Sequence, residues 1–483
     1  MLTLSAAAAL AYSPTVAAPH ARTSAASVSS RASAPRLGLL QKLGLRRGAR
    51  FADDLGLPCV DECAVASYPN LPPSVHPGVV TGQALVDLLQ HAKENRYAIP
   101  AVNCVTSSSV NTCLEAARKA DAPIIIQFSS GGSQFYAGKG LDNTDYKAAI
   151  AGAVSGAYHV RAMAEQYGVP VILHTDHCAK NLLPWLDGML AASERYYAAH
   201  REPLFSSHMI DLSEEPLEEN IDICVSYLQR MAKLDMLLEM ELGSPRRRRA
   251  TGITGGEEDG VDNEDANPED LYSKPEEIWQ VYEKLSAVPN GRFTVAAAFG
   301  NVHGVYAPGN AELDPPDTRN VKLDPEILGN AQTFIADKVS SSDAKPVSFV
   351  FHGGSGSDLK DIKQANPATA GHLGRSRPDP AIDYGVVKMN IDTDTQWSYW
   401  DGIRAYYKKY EPYLNSQIGN PDGADKPNKK FYDPRACLRS AEDSTNARLQ
   451  QCFEDLNCVG ILGLGDMPPP QNVLGPRRGA LPC

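Results

Sequence analysis

Several short stretches of this sequence concentrate side chains able to hold a cation or move a proton. They are HTDH (His174, Asp176, His177), Glu241 in MLLEMEL, His303 in GNVHG, His352 in FHGG, and Asn390 with Asp392 in MNIDTD. A single histidine in such a place is more often a satisfied core or rim residue. His177, His303 and His352 together supply three imidazole nitrogens and leave a fourth position open, the donor set a catalytic zinc ion requires. Asp176, beside one of them, suits either proton transfer or orienting a ligating histidine. Glycines adjoin two of the histidines: Gly304 follows His303, and Gly353, Gly354 and Gly356 surround Ser355. Consecutive backbone N–H groups there form a concave donor surface for phosphate, with a pair of ordinary βα turns as the competing reading.

These residues do chemistry together only if the elements before them point at one place. Apolar runs suited to strands lie at 97–102, 123–128, 169–174, 206–210, 236–242, 293–299, 347–351 and 384–391. Helical patterns separate them, the signature of βα units in a parallel sheet. Eight such units predict an α/β fold of the (β/α)8 TIM-barrel type, which gathers the C-terminal ends of its strands at one mouth. Each candidate residue follows or ends one of these strands. No GxGxxG opens a helix after the first strand, so a dinucleotide site is not expected.

The remaining composition narrows the ligand. A formal net charge of −12 over 483 residues opposes broad nucleic-acid affinity, so an anionic ligand must be held by a local group of donors. No uninterrupted apolar run in the body reaches the roughly 18 residues of a membrane helix. The ten cysteines form no CxxC pair, which fits free thiols in a reducing compartment. Residues 1–52 contain seven Lys or Arg and no acid, among many Ala, Ser and Pro. That is the composition of a transit peptide, to a plastid or alternatively a mitochondrion. The expected organisation is a targeting segment over 1–52, a linker over 53–78, the barrel over 79–463 and a disordered tail over 464–483.

Seven segments carry a resemblance. VILHTDHCAKNLLPWLDGML, PLFSSHMIDLSEEPLEENI, TGGEEDGVDN, FGNVHGVYAPGN, FHGGSGS, YGVVKMNIDTDTQW and KPNKKFYDPR resemble, in order and spacing, segments of class II fructose-bisphosphate aldolases, in particular the subgroup with a long GGEED loop. The resemblance implies reversible cleavage of fructose 1,6-bisphosphate through a zinc-stabilised enediolate, in glycolysis, gluconeogenesis or the Calvin cycle. It implies zinc on His177, His303 and His352, with Glu241 near the metal. Asp176 would exchange a proton with the C4 hydroxyl, and Glu258, with Glu257 beside it, would take the C1 proton of dihydroxyacetone phosphate. Asn390 would hold the enediolate. Asn103, Ser129, Asp392 and Thr393 would contact substrate, and Gly304, Gly353, Gly354 and Ser355 would hold phosphate and a monovalent cation. Arg435 would reach the far phosphate from the other subunit of a homodimer.

Segments 244–253, 312–324 and 365–381 depart from the family pattern, as does the Pro- and Gly-rich tail. Their Pro, Gly and charge content marks them as surface-loop insertions. Tagatose- or sedoheptulose-bisphosphate cleavage is an alternative that this metal chemistry does not distinguish. A metal-dependent hydrolase is disfavoured because the first strand reads AVNCV and lacks an HxH pair. A catalytically dead barrel retained for binding is disfavoured because every expected catalytic and ligand residue is present.

Overall fold

The structure, a computed structural model, describes residues 67–243, 272–300, 323–353 and 380–465. All eight expected strands form, with bounds shortened or shifted by a few residues: β2 (Ile99–Asn103), β3 (Ile124–Phe128), β4 (Pro170–Thr175), β5 (Ser207–Ile210), β6 (Leu237–Glu241), β7 (Arg292–Ala296), β8 (Phe349–Phe351) and β9 (Val386–Ile391). A two-residue strand, β1 (Gly78–Val79), precedes them and runs parallel to β4. The order is β1-β4-β3-β2-β9-β8-β7-β6-β5, and every ladder in this sheet is parallel. First and last barrel strands meet at β2 and β9, where Ala101 lies opposite Asn390. Helices alternate with these strands, and the result is a (β/α)8 barrel.

Strand composition explains burial on both faces. β3 reads IIIQF and is buried throughout, as expected for a parallel strand with helices outside and a packed interior. The helix Gly82–Asn95 before β2 buries Leu85, Leu88 and Leu89, and Leu85 and Leu89 line a cavity together with Ile125 and Leu237 of the barrel interior. The helix Ser107–Ala120 begins with a capping box between Thr106 and Ser109, which satisfies orphan N–H groups at its start.

The barrel closes unusually between β4 and β5, where no ladder joins the strands. The Ser206 N–H donates to the Leu173 carbonyl at 2.9 Å, and the Ser206 hydroxyl accepts from Leu173 N–H at 2.9 Å while donating to the Val80 carbonyl at 2.7 Å. Side chains supply the remaining links. His174 Nδ1 lies 2.8 Å from Ser207 Oγ, Thr175 Oγ1 lies 2.7 Å from His208 Nδ1, and His177 Nδ1 lies 3.0 Å from Asp211 Oδ2.

Flanking segments pack on this ring. Tyr68, Leu71 and Val75, within the span read from sequence as a linker, are buried, and Tyr68 donates to the Gly168 carbonyl at 3.1 Å. The Asp121 carboxylate accepts from the Leu464 and Gly465 N–H groups at the start of the span read as a tail. An antiparallel hairpin, β10 (Ile418–Asn420) and β11 (Gly423–Pro427), joins the long helices Thr393–Leu414 and Pro434–Asp455. Segments 244–253, 312–322 and 365–379 lie outside the described residues, as do 1–66 and 466–483. Among the described residues no helix is long and apolar enough to cross a membrane.

Two outcomes test this account of the seam. Ser206→Ala removes the partner of two buried backbone groups and should lower stability by about 1–3 kcal/mol in urea denaturation; an unchanged midpoint would refute the bridging role. Burial, with the Arg230 charge, pushes the His208 imidazole down to about 3, so it folds neutral. An unfolded chain takes up that proton below about 6.5, so stability should fall as pH drops from about 6.5 toward 3. His208→Gln should flatten that loss, read as the difference between urea midpoints at pH 7 and pH 5.

Candidate metal centre at the barrel mouth

Strand alternation decides which side chains share the interior, because residues two apart on a strand face the same way. Asp176 follows β4 by one residue and is only 2% exposed. Three strands supply amides to it. Asn103 Nδ2 of β2 and Gln127 Nε2 of β3 donate to its Oδ2 at 3.0 and 2.8 Å, and Asn390 Nδ2 of β9 donates to its Oδ1 at 3.0 Å. Gln127 also donates to Asn103 Oδ1, which fixes the pair. Burial alone would push the Asp176 carboxyl up, but the charges of His177, Lys388 and His352, with the Asn103 bond, hold it below the usual carboxylate range.

His177 and His352 stand beside it with ring centroids 4.8 Å apart. Each turns one nitrogen to a carboxylate. His177 Nδ1 meets Asp211 Oδ2 at 3.0 Å, with Glu241 Oε2 at 3.5 Å, and His352 Nε2 meets Glu239 Oε1 at 2.8 Å. A carboxylate only accepts, so those nitrogens carry protons and the opposite nitrogens, His177 Nε2 and His352 Nδ1, are the ones left for a cation. His352 Nδ1 accepts from Asn390 Nδ2 at 2.9 Å, and His177 Nε2 lies 3.9 Å from Asp176 Oδ1. His177 has φ of +25°, a strained backbone for a residue with a Cβ and a common mark of a functional position.

The donors fit a cation. Ligand atoms of Asp176, His177 and His352 all lie within 4.8 Å of one another, and so do those of His177, Asp211 and Glu241. Both Glu241 oxygens are buried without a hydrogen-bond partner among the described residues. Burial, with the negative charge of Asp211, pushes the Glu241 carboxyl well up against the opposing charge of His177. His177 is raised well above the usual imidazole range, since Asp176, Asp211 and Glu241 overcome its burial. Three carboxylates around one imidazole create a strong demand for positive charge that a divalent ion would meet.

Other expected site residues sit differently. Ser129 spends its hydroxyl accepting from Gly132 N–H at 3.1 Å, capping the helix Ser130–Ala137 at the end of β3. Gly353 follows His352 with φ of +70°. Asp392 precedes the helix Thr393–Leu414, whose first residue is Thr393, and accepts from Gln396 Nε2 at 2.7 Å. Arg435 is 90% exposed, and its guanidinium is engaged by Asp433. Glu257, Glu258, His303, Gly304, Gly354 and Ser355 lie outside the described residues. Gln127, Asp211, Glu239 and Lys388 were missed in the sequence. The available signal was a polar residue inside an apolar strand, as with Lys388 in VVKMNI and Glu239 in LLEME.

Fold and donors define a class: a (β/α)8 barrel with a metal-binding set at its mouth. The family model described as fructose-bisphosphate aldolase class-II matches residues 83–461. A fructose-bisphosphate aldolase of Edwardsiella ictaluri is 54% identical over 388 residues, covering 80% of this chain and 98% of that protein. The fructose-bisphosphate aldolase class 2 of Escherichia coli K12 is 52% identical over 389 residues, with the same coverage. Among solved structures, a fructose-bisphosphate aldolase from Campylobacter jejuni matches with a TM-score of 0.66 at 50% identity, over 80% of this chain and 97% of that one. This chain belongs to the class II fructose-bisphosphate aldolase family.

Glu241→Gln tests the cation site. An amide there removes a ligand oxygen that can become anionic, so zinc at a hundredfold excess over its Kd should no longer give the full gain of about 2.7 kcal/mol. An undiminished zinc-induced rise in Tm for the variant would exclude Glu241 from the site.

Proposed function

We propose that this chain catalyses the reversible aldol cleavage of fructose 1,6-bisphosphate to dihydroxyacetone phosphate and glyceraldehyde 3-phosphate, with zinc as its cofactor. The observation that carries this reading is Asp176: an ionised carboxylate, buried and held by three amides, with ligand atoms of two imidazoles converging on the same space.

His177 and His352, with His303 by resemblance, would hold the zinc ion, and Glu241 lies beside it. When bound, zinc acts as a Lewis acid toward the substrate's C2 carbonyl and C3 hydroxyl, stabilising negative charge that develops as the C3–C4 bond breaks. The protein's own groups move the protons. Asp176 accepts one from the C4 hydroxyl during cleavage and returns it in condensation. Three of the roughly four acceptor sites of its carboxylate are occupied by amides, so the remaining direction is fixed for that transfer. The Asn390 Oδ1 atom is buried without a partner among the described residues and is available to a substrate hydroxyl. Glu258, with Glu257 beside it, would serve the C1 proton, as the resemblance implies.

A Schiff-base route is not supported by the interior lysine, since Lys388 Nζ is engaged by both oxygens of Glu239 at 2.8 and 2.7 Å. The glycine-rich segments at Gly304 and Gly353–Ser355 would take a phosphate and a monovalent cation. Arg435, exposed in the single chain, would reach the far phosphate of a partner's substrate in a homodimer. The basic, acid-free 1–52 segment supports delivery to a plastid, where this reaction would serve the Calvin cycle.

Two variants divide the labour. Asp176→Ala should abolish most cleavage and condensation while affecting exchange of the C1 proton of dihydroxyacetone phosphate less, and Glu258→Ala should nearly stop that exchange with zinc still bound. Equal loss of exchange in both, with equal cleavage rates, would refute these roles, and a lysine adduct trapped by borohydride would refute the reaction class.

A further inference from the structure

Beneath the metal-binding set, one layer deeper in the barrel, lies an ion pair that the mechanism above does not use. Glu239 of β6 is 1% exposed, and Lys388 of β9 is 4% exposed. Each sits two residues before a residue of the site, Glu241 and Asn390, so alternation places both pairs inside the barrel, one layer below the other. Lys388 Nζ contacts both Glu239 oxygens, at 2.8 and 2.7 Å, which fixes the carboxylate's rotation. Oε1, so fixed, faces His352 Nε2 at 2.8 Å, while His174 Nε2 lies 3.5 Å from Oε2. Leu85, Leu89 and Leu237 line a cavity beside the pair, together with Thr294, Ser207 and His174.

We infer that Glu239 and Lys388 are positioning residues for the metal centre: the lysine locks the carboxylate, and the carboxylate locks His352 with its proton on Nε2 and its Nδ1 lone pair aimed at the space shared with Asp176 and His177. This inference rests on the metal reading of the site. A ligating histidine needs a fixed ring orientation and tautomer, and loss of the acceptor behind such a ring characteristically weakens metal binding. Lys388 is needed because a buried carboxylate without an opposite charge is strongly unfavourable. The two together introduce no net charge beneath the site.

The test compares two double variants with both charges removed, since either single change would strand a buried charge. Glu239→Gln/Lys388→Met keeps an oxygen that accepts from His352 Nε2, whereas Glu239→Leu/Lys388→Met keeps none. Apparent affinity for Zn2+ and Co2+ is measured by competition with a chelator, together with the visible spectrum of the cobalt-loaded protein and the Tm of the metal-free protein. The Leu/Met variant should bind zinc about 10- to 100-fold more weakly, with an altered cobalt spectrum, while the Gln/Met variant stays close to the parent. Equal affinities in the parent and the Leu/Met variant, or equal losses in the two double variants, would overturn the inference. His177→Ala is the control: metal lost there but retained unchanged in the Leu/Met variant sinks only the positioning role, whereas a parent protein that binds no metal sinks the metal reading itself.

Discussion

A carboxylate shut away from water stays charged only where other groups replace the solvent, and for Asp176 the replacement is the nearby charges of His177, Lys388 and His352 together with three side-chain amides from three strands. Asn103, Gln127 and Asn390 reach it because β2 stands between β3 and β9. That adjacency exists because the chain's first and last barrel strands meet. An open sheet that left β2 and β9 apart would bring Asn103 and Gln127 together, but without Asn390. The full set of amides around Asp176 is therefore a property of the closed ring, and the donors inherit their places from the same closure.

The interior is graded along the barrel axis. At the mouth, the carboxylates of Asp176, Asp211 and Glu241 outnumber the cations and leave the site demanding positive charge. One layer down, Glu239 and Lys388 cancel. Beside that pair, Leu85, Leu89 and Leu237 bring apolar side chains to the same cavity. Placing the uncompensated charge only where a ligand arrives keeps the cost of burying ions from accumulating through the core.

Much of this arrangement was legible in the sequence. Eight apolar runs became eight strands, and the residues at their ends, Asn103, Asp176, His177, Glu241, His352 and Asn390, do converge. What escaped notice depended on pairing across strands. Gln127 looks like an ordinary polar residue until β3 is set beside β2, where it lies opposite Asn103. Asp211 lies just past a strand of four residues, and its partner His177 is 34 positions away. Gly78–Val79 is too short to show any periodicity and is a strand only because β4 offers an edge. The Ser206 hydroxyl matters because a ladder is missing beside it, and such an absence has no signature in composition.

The join between β4 and β5 has a wider meaning. Seven ladders connect the eight barrel strands, so topologically the barrel is a rolled sheet whose β5 margin faces a β4 margin paired only with the two residues of β1. Histidine side chains lace those margins together at 174, 208 and 177. The uppermost lace, His177 with Asp211, also belongs to a set of donors that could hold a metal ion, so the last stitch of the fold and the candidate site share an imidazole. A cation seated there would draw both margins toward itself and cinch the ring at its mouth.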